Sequence, residues 1–284
     1  MMQLDFVSAR GGILPLVGNE NFALTGVDGM TQTDISLSTS TVPTMDGDMI
    51  NNAQAQPRSI VLYLEVKPEK NVEEVKRLIL SYVKPKLNGS LHWRQNSREI
   101  RITGMVEAIE MPRFSEKCVM QITMYCSQPY WEDAEFLVWE ISQYLDMHYF
   151  LIQSGGLAFP VEGIPFGVYD RSRRRTFTNL GDVEVGATIT IIALSTVTNP
   201  IMYDLATNRF IGINDTLSAG DEVVITTQRG NKTITKNGTN IINKIMPGSS
   251  WLQVNVGTNE YMINSDDEAD DNVYFTLTFK RRYV

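Results

Sequence analysis

Apolar and polar positions alternate with period two along much of the chain, a pattern of strands rather than helices. The clearest case runs from Glu99 to Trp131. There Ile100, Ile102 and Val106 alternate with Arg101, Thr103 and Met105, and Met120, Ile122, Met124 and Cys126 alternate with Gln121, Thr123 and Tyr125. This predicts two strands joined by a polar loop around Met111-Pro112-Arg113. Pro129 has no amide donor, so the second strand is expected to end or to reach a sheet edge there. Upstream, Leu4 to Val7, Phe22 to Val27 and Ile60 to Val66 read as strands. Asp34 to Ser40 reads as a half-buried strand with Ile35 and Leu37 inward. Asp28-Gly29 and Asn88-Gly89 read as tight turns. Thr41 to Gln56 is polar and carries Pro43 and Gly47. It reads as a loop or a long, weakly packed hairpin: a disordered tip, or an arm that contacts another subunit.

One helix stands out. Asn71 is placed to cap it, Val72, Val75, Ile79, Tyr82 and Val83 form one stripe, and Pro85 stops it. Asp133 to Leu145 fits two periods. Ala134, Leu137, Val138, Ile141 and Leu145 suit a helix, Phe136, Val138 and Trp139 suit a strand, and the helix is the reading adopted.

The second half is a series of short strands between turns. Leu157 to Gly167 is rich in Gly and Pro and suits a domain boundary. Val183 to Ile192, Ile201 to Tyr203, Phe210 to Ile213, Glu222 to Thr227, Lys232 to Thr235, Trp251 to Val256, Tyr261 to Ile263 and Val273 to Phe279 follow. Strands at this spacing predict a β-sandwich of jelly-roll type. The fold expected is therefore mainly β in two domains: residues 1–156, an α+β domain with a helix on a sheet, and residues 157–284, a jelly-roll β-sandwich.

Composition narrows the function. The 284 residues carry a net charge of −8, a field that disfavours non-specific binding to nucleic acid. Arg171, Arg173, Arg174 and Arg175 form the one strong basic run, but acidic residues outnumber basic ones across residues 160–284, so a solvated face is expected there. No apolar run approaches the ~18 residues of a membrane span. The N-terminus has no basic flank and apolar core of a signal peptide. Cys118 and Cys126 would sit ~26 Å apart on one strand, too far for a disulfide, and read as buried thiols of a reducing compartment.

Catalytic patterns are missing. His92 and His148 stand outside any metal-ligand spacing. No phosphate-binding loop and no G-x-S-x-G elbow occur, and Gly155-Gly156 is a turn. Cys126 with His148 is a distant pair, and Cys126 belongs to an apolar face. Glu132 and Asp133 are adjacent acids, whereas a glycosidase pair is set by distance in space. Asp266, Asp267, Glu268, Asp270 and Asp271 lack the turn glycine of a calcium loop and read as an exposed loop. No catalytic, cofactor-binding or metal-ligating residue is assigned, and a binding or assembly role is expected rather than an enzyme.

Several pieces carry a resemblance. In the first half they are Gly26-Val27-Asp28-Gly29, Pro57-Arg58 before an apolar strand, Arg98-Glu99-Ile100 with Gly104, and Cys126-Ser127-Gln128-Pro129-Tyr130-Trp131. In the second they are Phe159-Pro160, Asn179-Leu180-Gly181-Asp182-Val183-Glu184, Asn199-Pro200, Leu217 with Gly220-Asp221, Trp251 followed by Gly257 and Asn259, and the closing Arg281-Arg282-Tyr283-Val284. In order and spacing the chain resembles the distal tail proteins of long-tailed, non-contractile bacteriophages and their prophage copies. It departs at Gly257-Thr258-Asn259, where the family has a shorter Gly-Asn turn, and in the helical pattern of Asp133 to Tyr149.

The resemblance implies a ring-forming N-terminal domain, a galectin-like C-terminal sandwich and a homohexameric hub at the virion tail tip, assembled in the bacterial cytoplasm. The implied partners are further copies of the chain, the tail tube protein, a tail-associated tip, fibre or lysin protein, and a receptor-binding protein. No cofactor, membrane span or stable nucleic-acid binding is implied. The alternative is a carbohydrate-binding module of a phage or cell-wall protein, with Trp251, Tyr203 and Tyr261 as sugar platforms.

Overall fold

The computed structural model describes residues 2–31, 33–41, 43, 46–96, 98–111, 118–141, 144–146, 167–169, 174–266 and 273–284. The chain forms two compact units, Met1–Glu135 together with Arg282–Val284, and Phe136–Arg281. The boundary expected between residues 156 and 157 lies outside the described residues. So do the loop residues Pro112 and Arg113, Leu151 to Gly156, Phe159-Pro160, His148, Arg171, Arg173 and residues 267–271. Both units are mainly β, and the described residues hold one α-helix.

The first unit comprises β1 (Met2–Ser8), β2 (Ile13–Pro15), β3 (Phe22–Asp28), β4 (Ile35–Thr41), β5 (Asp48–Ala55), β6 (Arg58–Val66), α1 (Val72–Tyr82), β7 (Asn88–Gln95), β8 (Arg98–Glu110), β9 (Val119–Cys126), β10 (Trp131–Asp133) and, from the end of the chain, β27 (Arg282–Tyr283). Its main sheet runs β2-β1-β7-β8-β9-β6-β3, all antiparallel. The strand β8 is long enough to serve two neighbours on one edge. Met105 to Glu110 pair with β9, and Ile100 and Arg101 pair with β10. Alternation sends Ile60, Leu62 and Leu64 of β6 and Met120, Ile122 and Met124 of β9 into one core with Phe6, Leu91 and Ile102.

The helix closes that core. Val75 and Ile79 are buried in it, whereas Val72, at the first helical position, is exposed. The Asn71 carboxamide oxygen accepts from the amides of Glu73 at 3.0 Å and Glu74 at 3.5 Å. This satisfies amides that have no partner within the helix. Asn71→Ala is expected to lower the stability of the first unit by about 1 kcal/mol, read as a lower urea midpoint at unchanged slope.

Asn88-Gly89 is not a turn but the start of β7. A Cβ on Gly89 would lie 2.3 Å from the Phe6 ring, so the glycine is there for close packing. The chain reverses just before it, where Lys86 takes φ 66°. Cys126 is buried and Cys118 half-buried, both as free thiols. Burial pushes the Cys126 thiol up to about 12, which suits an inert core residue.

The second unit comprises β11 (Leu137–Ile141), β12 (Tyr144–Asp146), β13 (Gly167–Tyr169), β14 (Arg174–Asn179), β15 (Val185–Gly186), β16 (Thr188–Ala193), β17 (Val197–Thr198), β18 (Ile201–Asp204), β19 (Arg209–Gly212), β20 (Thr216–Leu217), β21 (Glu222–Gln228), β22 (Asn231–Lys236), β23 (Thr239–Asn240), β24 (Gln253–Val254), β25 (Gly257–Asn264) and β26 (Val273–Phe279). A six-stranded sheet runs β11-β26-β16-β21-β22-β23 and a four-stranded one β14-β25-β18-β19. Both feed one hydrophobic cluster: Ile189, Ile225 and Phe275 come from the first, Phe177, Met202 and Tyr261 from the second.

Three expectations are corrected here. Asp133 to Leu145 is not helical: β10 ends at Asp133 and β11 pairs with β26 from Leu137↔Phe279 to Ile141↔Phe275. Val183 to Ile192 is broken into β15 and β16. At the break Gly186 approaches Gln228 so closely that a Cβ would lie 2.4 Å from the Gln228 Cα, and the Ala187 amide donates to Thr227 Oγ1 at 2.9 Å. Gly257-Thr258-Asn259 is the start of β25 rather than a lengthened turn. The buried Asn259 carboxamide accepts from the Asn255 amide at 2.9 Å and donates to the Asn255 carbonyl at 2.8 Å, tying the preceding loop to the strand.

Candidate functional site

The feature of the first unit most exposed to a partner is the hairpin β4–β5. Its strands pair with each other from Ile35↔Ala55 to Thr41↔Asp48, with a bulge after Ser38, and form a sheet of their own. Register divides its residues into two chemically distinct faces, because opposed residues point the same way. Ile35, Leu37 and Thr39 share one with Ala55, Ala53 and Ile50. Ser36, Ser38 and Ser40 share the other with Gln54, Asn52 and Met49. Ile35 and Leu37, expected half-buried, are 62% and 54% exposed, and Ile50 is 62% exposed. Alternation does predict two faces; the apolar one is uncovered in the single chain. A two-stranded hairpin with an apolar face gains stability when that face is covered. The segment from Asp34 to Gln56 also has acidic residues but no Lys or Arg.

The root of this arm is firmly held. Arg58 Nη1 and Trp131 Nε1, from β6 and β10, both donate to the Met30 carbonyl, at 2.7 and 3.0 Å. Arg58 Nη2 donates to Thr33 Oγ1, and the Gln56 amide closes the hairpin on the Asp34 carbonyl at 2.8 Å. Gly29, at φ 78°, passes so near β6 that a Cβ would lie 2.2 Å from the Ser59 carbonyl oxygen. Only glycine fits both the conformation and the space. Asp28-Gly29 is thus the turn that launches the arm.

A polar ladder crosses β1, β7 and β8. Ser90 Oγ lies 2.9 Å from His92 Nε2, His92 Nδ1 lies 3.2 Å from Glu99 Oε1, and Arg94 bridges Glu99 at 3.1 Å and Asp5 at 3.2 Å. The Arg94 guanidinium, with help from His92, holds the Glu99 carboxyl below its usual range. Sequence reading missed this group, although Ser90 and His92 at i, i+2 on one strand face were a visible signal. The order serine, histidine, carboxylate is that of a nucleophile, its base and an orienting acid. However, β7 lies between β1 and β8, and its amides are committed to those ladders. It therefore offers no oxyanion donors beside Ser90. The group is best described as a hydrogen-bonded ladder on a sheet face.

The adjacent acids Glu132 and Asp133 hold the end of the chain. Arg282 meets Glu132 through Nε at 2.9 Å and Nη2 at 2.8 Å, and Tyr283 OH donates to Asp133 Oδ1 at 2.9 Å. Among the other candidates, Tyr261 is buried, stacked on Phe177 at 5.4 Å, and donates its hydroxyl to the Gln253 carbonyl. It is no sugar platform. Tyr203 leans on Phe210, and Trp251 lies under Lys232 at 5.5 Å. Arg174 pairs with Glu260 at 3.7 Å, and Asp266 accepts from Asn199 at 2.6 Å. Among the described residues no group of three or more His, Cys, Asp or Glu converges on a metal position, and no helix is long and apolar enough to cross a membrane.

An uncovered arm rooted in a helix-backed sheet, and a second unit of short antiparallel strands, define a two-unit β-rich protein with surfaces suited to assembly. Residues 180–283 match the family model for the siphovirus-type tail component, C-terminal domain. This agrees with the family resemblance seen in the sequence. The whole chain shares the fold of SPP1 Dit (gp 19.1), described as a paradigm of hub adsorption apparatus in Gram-positive infecting phages. The TM-score is 0.68 at 12% identity, over 98% of this chain and 98% of that one. Chains of the phage p2 baseplate in its activated conformation, with calcium and with strontium, align over 100% of both chains at 11% identity and TM-score 0.48. No curated protein sequence matches.

Proposed function

We propose that this chain is a structural distal tail protein: a homohexameric hub that joins the phage tail tube to the tip or baseplate and its receptor-binding apparatus. The observation that carries the reading is the family match over residues 180–283. The likeness in fold to SPP1 Dit and the uncovered arm support it. In this reading the first unit builds the ring. A closed ring needs two different complementary surfaces per subunit, and the arm provides one of them. The second unit is a jelly-roll, galectin-like sandwich, supported by the one core that its two sheets share. It serves as a dock for a tip, fibre or lysin protein and for a receptor-binding protein.

The protein is placed at the virion tail tip after assembly in the host cytoplasm, with no catalytic role, no cofactor and no stable hold on nucleic acid. The alternative, a carbohydrate-binding module, is weakened because Tyr261 lies in the core. Native mass spectrometry of the full chain across a concentration series tests the hub. A hexamer is expected. A chain that stays monomeric throughout, alone and with the tail tube protein, would refute it.

A further inference from the structure

The arm and its root are built on opposite principles. Beyond Ile35 the blade pairs only with itself, whereas the segment entering it is gripped by side chains from two other strands. Arg58 is the unusual member. It is 4% exposed, its Nε is buried without a hydrogen-bond partner, and its Nη atoms donate to a neutral carbonyl and a neutral hydroxyl. A guanidinium remains charged in proteins, and one buried on neutral acceptors with an N–H unpaired is costly. An apolar residue of similar volume would often stabilise a buried site as well or better. Stability alone therefore does not explain an arginine here.

Its geometry does. Two donors from different strands, Arg58 and Trp131, meet on the single Met30 carbonyl and fix that point of the chain. The second arm of the Arg58 fork then holds Thr33, three residues on. Two fixed points define a direction, and the hairpin begins at the next residue but one. The geometry points to Arg58 as the positioning residue that, together with Trp131, aims the arm as it leaves the first unit. Fixing the arm before it meets its partner lowers the entropy lost on binding. This rests on the assembly reading for its purpose, not for its test.

The test uses the full chain with spin labels at Ser38→Cys, on the polar face of the arm, and Glu74→Cys, on α1. Cys118→Ser removes the half-buried thiol. Distances are measured on the dilute monomer. A single narrow distribution is expected, and Arg58→Met should broaden it while the melting temperature holds or rises. The midpoint concentration for assembly should rise about tenfold as the ordering cost returns. Thr33→Val, which keeps Arg58 but removes the second fixed point, decides the matter if Arg58→Met fails to fold. A distribution as narrow as the parent's in the folded variant, or a parent distribution that is already broad, overturns the assignment. A chain that never assembles but still shows the broadening would sink the hub reading and leave the positioning role intact.

Discussion

Replacing Ile35 and Leu37 by aspartate should abolish assembly while leaving the first unit folded. Both side chains lie on the apolar face of the arm, opposite Ala55 and Ala53, and both are more than half exposed in the single chain. Because they contribute little to the core, the melting temperature should hardly move. In the proposed ring they would be covered. Full burial of a Leu or Ile side chain contributes roughly 1.5–3 kcal/mol, and just over half of each is still to be covered, so losing the two removes about 2–3.5 kcal/mol from each contact. At 1.4 kcal/mol per tenfold, the midpoint concentration should rise about a hundredfold, and carboxylates buried without partners would add to the loss. Ser36→Asp with Ser38→Asp, on the polar face, is the control. Native mass spectrometry at matched concentrations compares them. Equal loss of the hexamer in both pairs would show that charge on the arm, and not its apolar face, controls assembly. No loss in either would remove the arm from the interface.

Much of the first unit was legible because local chemistry and tertiary packing agree. The helix had its cap at Asn71, its buried stripe at Val75 and Ile79 and its stop at Pro85. The pairing of β8 and β9 followed from clean alternation with a core on one side. Alternation reports faces without saying what covers them, so Ile35 and Leu37 were expected to lie against a core that the arm does not reach.

The misreading of Asp133 to Leu145 has a related cause. On β11, Val138 points outward and is 58% exposed, and Phe136 just before it is equally exposed, while Leu137 packs on the core and Trp139 stacks on Phe177. Apolar residues on both parities of an edge strand reproduce the i, i+3, i+4 spacing of a helix. Asn88-Gly89 misled for another reason. The dipeptide favours a turn because glycine tolerates positive φ, but Gly89 exists to admit the Phe6 ring. Of the site, the polar arm was visible in the sequence. Its root was not, since Met30, Thr33, Arg58 and Trp131 come from separate segments, and nothing local links Arg58 to Met30.

The end of the chain was the least legible part, and cutting it should have the largest effect on the first unit. Arg282 and Tyr283 form β27, paired with β10 through Trp131↔Tyr283 and Glu132↔Arg282 across 150 residues of sequence. Tyr283 is 8% exposed, with the Arg98 guanidinium 3.8 Å from its ring centroid. The first unit is therefore discontinuous: the whole second unit is inserted, in sequence, between two strands of one sheet. A chain that stops at Arg281 loses the burial of Tyr283, roughly 2 kcal/mol, its hydroxyl bond to the buried Asp133, about 1–2 kcal/mol, and a partly exposed ion pair with Glu132 that contributes at most about 1 kcal/mol. Together these approach about 4 kcal/mol, a large share of the 5–15 kcal/mol that holds a typical domain. Hydrogen exchange should accelerate at residues 131–133 and at the facing residues 98–101 of β8, and the melting temperature of the first unit should fall. Tyr283→Phe should show the same pattern at about a third of the size, since it keeps the ring and removes one donor. Unchanged exchange at both places in the truncated chain would mean that β10 is held by β8 alone and that the tail is an ornament to the sheet. If exchange does accelerate, a fragment ending near residue 156 cannot stand in for the first unit, because it lacks the strand that completes it.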